Sequence, residues 1–322
     1  MTPQRSALFF GPSFVFIAAA LWATDAPFRA YLTESLSSNF IVLAEHAVDL
    51  LIALPILVWG WRELRNLTKR EWFAVLFIAV GGSALASVAF TQSFHYVNPS
   101  VSILLQKVQP LIAITLAWLF LGERLSKNFW IWTAIALFGA YLVSFPNLVP
   151  QLYEGEAFNP NTMGVLLALT AALLWGASTV FGKFVLQKIS FQMMTSLRFI
   201  GAFIFLAILT TTQQSFPTTG TLTSTDILFI AIIAVTSGVV SLFIYYYGLQ
   251  FTRASIATVA ELGFPLAAVF VNAYFIAGTA IPGAFLGLLP GQWLGTGLLL
   301  LAMLMLSRVN QESVIELPAA RT

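Results

Sequence analysis

The sequence contains no cysteine, only two histidines, and charged residues at 9% of its 322 positions. Each shortage excludes something. Without cysteine there are no disulfides, thiolate metal sites or cysteine nucleophiles. His46 and His95 are too few for a zinc site built on histidine. Fifteen basic residues against thirteen acidic ones leave a formal charge of +2, with no basic field for nucleic acid and no acidic tail. Soluble domains carry about 25% charged residues to face water. What fills the chain instead is apolar: 59% hydrophobic residues and a mean hydropathy of +0.88. Its solvent is lipid. No G-x-S-x-G, H-E-x-x-H, Walker loop or strand-to-helix G-x-G-x-x-G is present, so no cofactor and no metal is expected.

A spanning helix needs about 20 mainly apolar residues. Ten stretches meet this expectation: about 9–25, 40–59, 72–94, 100–120, 129–145, 163–186, 193–211, 226–249, 256–277 and 291–307. Arg5 precedes an apolar run without a small-residue cleavage site, so the first stretch is expected to stay as a helix. With the N-terminus inside, the inner segments hold Arg5, Arg62, Arg65, Lys69, Arg70, Arg124, Lys127, Lys188, Arg253, Arg308 and Arg321, whereas the outer loops hold only Arg29. The positive-inside rule then places both termini in the cytoplasm. The segments 146–162 and 212–225 read as connectors, rich in Asn, Pro, Thr and Gly.

The chain also repeats itself. HYVNPSVSILLQKVQPLIAI (95–114) lies over QFTRASIATVAELGFPLAAV (250–269) at a shift of 155 residues. That shift sets Gln106 against Glu261 and Pro110 against Pro265. ALWATDAPF aligns with LLWGASTVF through Trp22 and Trp175. The expected fold is therefore an all-α integral membrane protein, ten transmembrane helices in two inverted five-helix repeats, at 1–150 and 160–310, followed by a cytoplasmic tail at 308–322. Inverted repeats place solute sites near the bilayer midplane between the halves.

The stretch PLIAITLAWLFLGERLS (110–126) resembles the signature of EamA-like proteins in the drug/metabolite transporter superfamily. The W-G-x-S run at Trp175–Ser178 and the A-S-I-A-T run before Pro265 are similar too. The resemblance spans about 10–307. It implies a secondary carrier of small metabolites, often an exporter, with a cavity between two five-helix bundles. Two departures stand out. Gly278 stands where the first half has Glu123, and helix two carries Glu45 and His46 where many relatives have one arginine, as Arg198 still does in helix seven.

Charges at mid-membrane cost about 2.5–3.5 kcal/mol even on lenient scales, so they face a cavity or a partner. Glu45 and Asp49 share a helical face, with His46 about 100° round. The set reads as a proton relay or cation-binding wall, or as residues pairing with other helices; Glu45 is expected to approach Arg198 across the pseudo-twofold axis. Lys107, with Gln106 and Gln109 on its half of helix four, would attract an anionic group or neutralise Glu261 or Glu45. Ser237, Ser241 and Tyr245 form a stripe at i, i+4, i+8 that would either hydrogen-bond a solute or pack closely. Trp22 and Trp175 would close over a solute, or sit at the interface. Pro110 and Pro265 are the hinge candidates.

These readings converge on a multi-pass carrier in the cytoplasmic membrane. It would move a small polar or amphipathic solute, such as an amino acid, by alternating access, with protons as the coupling ion to test. The rival is an integral-membrane enzyme using Glu45, His46 and Asp49 as acid/base groups on a lipid-linked substrate. No nucleic-acid partner is expected, and the sequence is compatible with a monomer or a homodimer.

Overall fold

The computed structural model describes residues 3–97, 102–103, 105–144, 162–218, 220, 222–275 and 290–315. Among these residues every regular element is helical. Helix α1 (Pro3–Trp22) is followed after a short turn by α2 (Ala26–Leu32), and Pro27 sits in the first turn of α2, where a missing N–H costs nothing. Ser37 caps α3 (Ser38–Gly60) by accepting from the Phe40 amide. Reciprocal Thr68–Glu71 bonds start α4 (Lys69–Ser93), and Thr223–Asp226 bonds of the same kind start α9 (Ser224–Gln250). Between them lie α5 (Gln106–Leu121), α6 (Lys127–Ser144), α7 (Thr162–Val185) and α8 (Phe191–Thr212), the last capped by Ser190. The chain continues as α10 (Ala254–Ala260), α11 (Gly263–Phe275) and α12 (Pro290–Ile315).

Seven described helical stretches are long and apolar enough to cross a membrane, and α5 and the run Ala254–Ala268 are shorter apolar helices. Large apolar side chains face outward, among them Trp59 at 83% and Leu51 at 75% exposure. Such a surface suits acyl chains and not water. The chain is a multi-pass membrane protein.

One expectation about the first span needs correcting. The first helix ends at Trp22, close to the expected 25, but the apolar stretch Ser6–Leu32 continues through α2. Arg29 is therefore not in an outer loop but buried, at 4% exposure. The ends of spans at 276–277, the connector 146–161, the tail 316–322, Ser100, Gly278, Gly283 and Gly287 lie outside the described residues.

The packing is reciprocal. Helix α1 lies on α9, α10 and α11, while α7 lies on α4 and α5; α3 pairs with α8, and α6 with α12. The α6–α12 seam depends on two glycines. A Cβ on Gly139 would stand 2.9 Å from the Gly295 carbonyl, and one on Gly295 would stand 2.6 Å from that of Gly139. Close backbone approach through small residues is how membrane helices gain packing energy that lipid cannot offer. Two helices also widen locally into π-helical turns, α4 at Phe77–Leu85 and α9 at Ala234–Val240.

Side-chain bonds define the two ends of the bundle. At one end Glu63 accepts from the Ser190 amide and hydroxyl, and Asn66 donates to the Lys188 carbonyl. There too Asn310 donates to the Leu8 and Phe251 carbonyls and accepts from the Arg253 amide. At the other end Ser37 donates to the Ser215 carbonyl and Asn39 to Gln213. The first end carries the basic segments. With Arg29 withdrawn into the interior, no Lys or Arg remains in the segments expected outside.

Candidate functional site

A cavity of about 1240 Å3, counting its open mouth, lies among α1–α5 and α7–α11. Its charged half is built on α2 and α3. Arg29 Nη1 lies 2.9 Å from Glu45 Oε1, and Nη2 lies 3.0 Å from Asp25 Oδ2 and 3.1 Å from Glu45 Oε2. Arg29 also donates to Thr91 on α4 at 2.9 Å, and Ser237 on α9 donates to Asp25 at 3.2 Å. The guanidinium thus ties α2, α3 and α4, and Asp25 extends the link to α9. A buried charge is tolerated only when opposite charge and hydrogen bonds surround it.

The opposite half centres on Glu261, at the break between α10 and α11. Its carboxylate accepts from Gln109 on α5, from Thr179 on α7 at 3.1 Å and from Tyr245 on α9 at 2.8 Å. The break has a counterpart. Residues Gln106–Val108 form a 3-10 turn before Gln109 and Pro110 begin the regular helix, just as Pro265 lies in the first turn of α11. The two prolines open helical segments after a break and do not interrupt continuous helices. Gln106, Lys107, Gln109 and Glu261, the residues at the breaks, all line the cavity.

Aromatic rings form the remaining wall. Trp22 packs on Tyr245 at 5.1 Å between centroids, and Trp175 on Phe90 at 5.4 Å. Arg198 donates to Ser83, to the Tyr246 hydroxyl at 3.1 Å and to the Gly82 carbonyl at 3.2 Å, inside the widened turn of α4. His46 Nδ1 lies 2.9 Å from the Val42 carbonyl. A carbonyl only accepts, so Nδ1 carries a proton, and in the neutral ring Nε2 is the acceptor. His46 Nε2, Gln106 Nε2, Ser178 Oγ, Thr258 Oγ1 and Asp49 Oδ1 are enclosed without a hydrogen-bond partner among the described residues. All five residues line the cavity.

Of the residues singled out in the sequence, Glu45, His46, Lys107, Glu261, Gln106, Gln109, Trp22, Trp175, Ser237, Tyr245, Arg198, Pro110 and Pro265 line this cavity. Ser241 does not. It bonds back to the Ser237 carbonyl of its own helix, the usual resort of a serine facing apolar packing. Glu45 does not meet Arg198 either, because Arg29 holds it and Arg198 is engaged by Ser83, Tyr246 and Gly82. Glu261 is held by the neutral donors Gln109, Thr179 and Tyr245. Sequence reasoning missed Asp25 and Arg29. Their signal was an acid–base pair four residues apart, followed by the apolar AYL, which favours one more helical turn.

At the basic end of the bundle a further carboxylate holds the turn between α9 and α10. Glu123 accepts from the Ala254 amide at 2.8 Å, from the Ser255 amide at 3.1 Å and from the Ser255 hydroxyl, with Arg253 at 3.8 Å. Lys183 donates to the Leu249 and Gln250 carbonyls, at 3.0 and 2.9 Å. The α9–α10 turn is thus held from both sides.

Comparison with known proteins gives a consistent picture. A model of the EamA-like transporter family matches residues 9–145 and again residues 162–308. The riboflavin transporter ImpX of Fusobacterium nucleatum is 30% identical over 306 residues, covering 93% of this chain and 98% of that protein. The uncharacterized transporter YwfM of Bacillus subtilis is 28% identical over 298 residues, covering 91% and 92%. A protein of known crystal structure superimposes with a TM-score of 0.69 at 13% identity, covering 94% of this chain and 98% of the other, which shows a shared fold alone.

Proposed function

The chain belongs to the EamA-like transporter family, and on that premise we propose that it is a secondary carrier moving a small amphipathic solute through the central cavity by alternating access. It is a transporter and not an enzyme acting through Glu45, His46 and Asp49. The observation that carries the reading is the pair of broken helices whose break residues face one cavity. Carriers of this kind place solute sites at discontinuous helices, where freed backbone groups and placed side chains meet the solute.

We read the two matched segments as inverted five-helix repeats, giving ten spans. What supports this is the behaviour of the 155-residue shift. It carries Thr68 and Glu71 onto Thr223 and Asp226, the widened turn at 77–85 onto 232–240, which overlaps the one at 234–240, and the break at Gln106 onto Glu261. It also turns the α1 contacts with α9, α10 and α11 into the α7 contacts with α4 and α5. The basic end is read as cytoplasmic, with both termini there and the protein in the cytoplasmic membrane.

The solute we propose is riboflavin or a similar flat, uncharged heteroaromatic ring with a polar edge. Support comes from the relative named a riboflavin transporter, from the aromatic walls, and from a near balance of charge on the lining: three basic residues against four acidic ones. An amino acid would need its own ion pairs, and Arg29 and Arg198 are already committed to protein acceptors. The test is counterflow. Liposomes containing the protein and loaded with riboflavin should take up labelled riboflavin faster than protein-free liposomes, saturably, and amino acids should not compete. Exchange at the protein-free rate would remove riboflavin as the solute; a labelled amino acid exchanging instead would restore the broader expectation. Right-side-out and inverted vesicles report whether net movement is the export expected of the family.

A further inference from the structure

Four carboxylates line the cavity, and three of them are held. Asp25 and Glu45 share Arg29, and Glu261 has Gln109, Thr179 and Tyr245. Asp49 differs. It lies at the middle of α3 and is 1% exposed. Asp25 Oδ1 and Glu45 Oε1 are also enclosed without a hydrogen bond, but both carboxylates are ion-paired to Arg29, whereas Asp49 Oδ1 is enclosed without a hydrogen-bond partner and its carboxylate has no ion pair among the described residues. Burying an ionised carboxylate without a hydrogen-bonded partner costs several kcal/mol, while the neutral acid avoids most of that cost.

The surroundings fit a group that changes its charge. On its own helix the ionisable neighbours are Glu45, already paired, and His46, whose Nε2 is a bare acceptor three residues away. From α8 the facing charge is Arg198, occupied by Ser83, Tyr246 and the Gly82 carbonyl. From α9 the facing residue is Gly238, within the widened turn; a Cβ there would stand 2.9 Å from Asp49 Oδ1. From α4, Ser83 lines the same cavity and is uncharged. Widened turns recur at functional positions because they leave local backbone bonding adjustable.

We propose that the Asp49 carboxyl is the proton-binding group of this carrier, taking up a proton when closed against the α9 turn and releasing it when the cavity rearranges. The neutral acid lets α9 lie directly on α3. The charged form demands a partner, which it obtains only if Arg198 leaves the α4 turn or water enters, so charge at Asp49 is linked to which end of the cavity opens. The proton comes from the aqueous phase then in contact with the cavity and leaves to the opposite phase. The transport role rests on the carrier reading; the protonation does not.

Two readouts separate these. Infrared spectroscopy of the protein in lipid should show a protonated-carboxyl band at neutral pH that is lost in Asp49→Asn and kept in Glu45→Gln. In riboflavin-loaded liposomes, Asp49→Asn should abolish accumulation driven by a pH gradient and flatten the pH profile of exchange, and Asp49→Glu should restore both. A band unchanged in Asp49→Asn, or an Asp49→Asn exchange as pH-dependent as wild type, overturns the proposal, as does accumulation driven by a sodium gradient alone. If the wild type carries no riboflavin, the solute assignment fails while the infrared arm still decides on Asp49.

Discussion

Arg29→Ala is expected to melt far below wild type in detergent, losing about 3–5 kcal/mol, because it strands Asp25 and Glu45 as uncompensated buried carboxylates. The guanidinium also bonds Thr91, so α2, α3 and α4 lose their common link. The charge-balanced triple Asp25→Asn, Arg29→Gln, Glu45→Gln should recover most of the lost stability, since it removes the charges together with their desolvation cost. Thermal denaturation followed by light scattering or intrinsic fluorescence reads both. An Arg29→Ala protein as stable as wild type would mean that the cluster is open to water and is not a buried electrostatic core.

The second large effect is expected at Glu123. Hydrogen bonds to a charged group are worth about 1.5–3 kcal/mol each, and Glu123 accepts three from Ala254 and Ser255. Losing even one or two of them would shift the balance between a closed and an open basic end by at least tenfold, since each 1.4 kcal/mol is a factor of ten in a population. Glu123→Ala should therefore raise the labelling of a cavity cysteine from the basic end by about tenfold or more, while Glu123→Gln, which keeps an acceptor, should raise it less. Equal labelling in all three proteins would show that the contact is ornamental to gating. The shift of 155 residues leads from Glu123 to Gly278, which has no side chain, so the sequence provides no equivalent carboxylate for the opposite end.

The long helices were legible because lipid demands unbroken apolar runs, and their capping residues are ordinary ones. The cavity residues Glu45, Lys107, Gln109 and Glu261 were legible for the converse reason, since polar groups within such runs need somewhere to point. The partners were not. An internal repeat tells which positions are equivalent, and equivalence is not contact: Glu45 and Arg198 occupy matching helices yet each is held by other residues. Arg29 was hidden because the Asp-Ala-Pro run before it reads as a helix end, whereas the chain restarts a helix there and folds the arginine inward. The spacing of Ser237, Ser241 and Tyr245 was equally ambiguous. A stripe at i, i+4 marks one face, but only Ser237 and Tyr245 find acceptors across the cavity. Asp49 stood beside its helical neighbours in the sequence, and only the packing shows that it faces Gly238 while Asp25 and Glu45 take the Arg29 guanidinium.

The central claim is that one cavity is reached by water from each end in turn. Gln106→Cys tests it directly, since the protein has no cysteine of its own and the Gln106 amide nitrogen has no hydrogen-bond partner among the described residues. The measurement is labelling by a membrane-impermeant thiol reagent applied to right-side-out and to inverted vesicles, with and without riboflavin. The account predicts faster labelling from the end opposite the basic one, slower labelling from the basic end that Glu123→Ala accelerates, and protection by riboflavin at both. Labelling from one side only, unmoved by Glu123→Ala and by riboflavin, would contradict it.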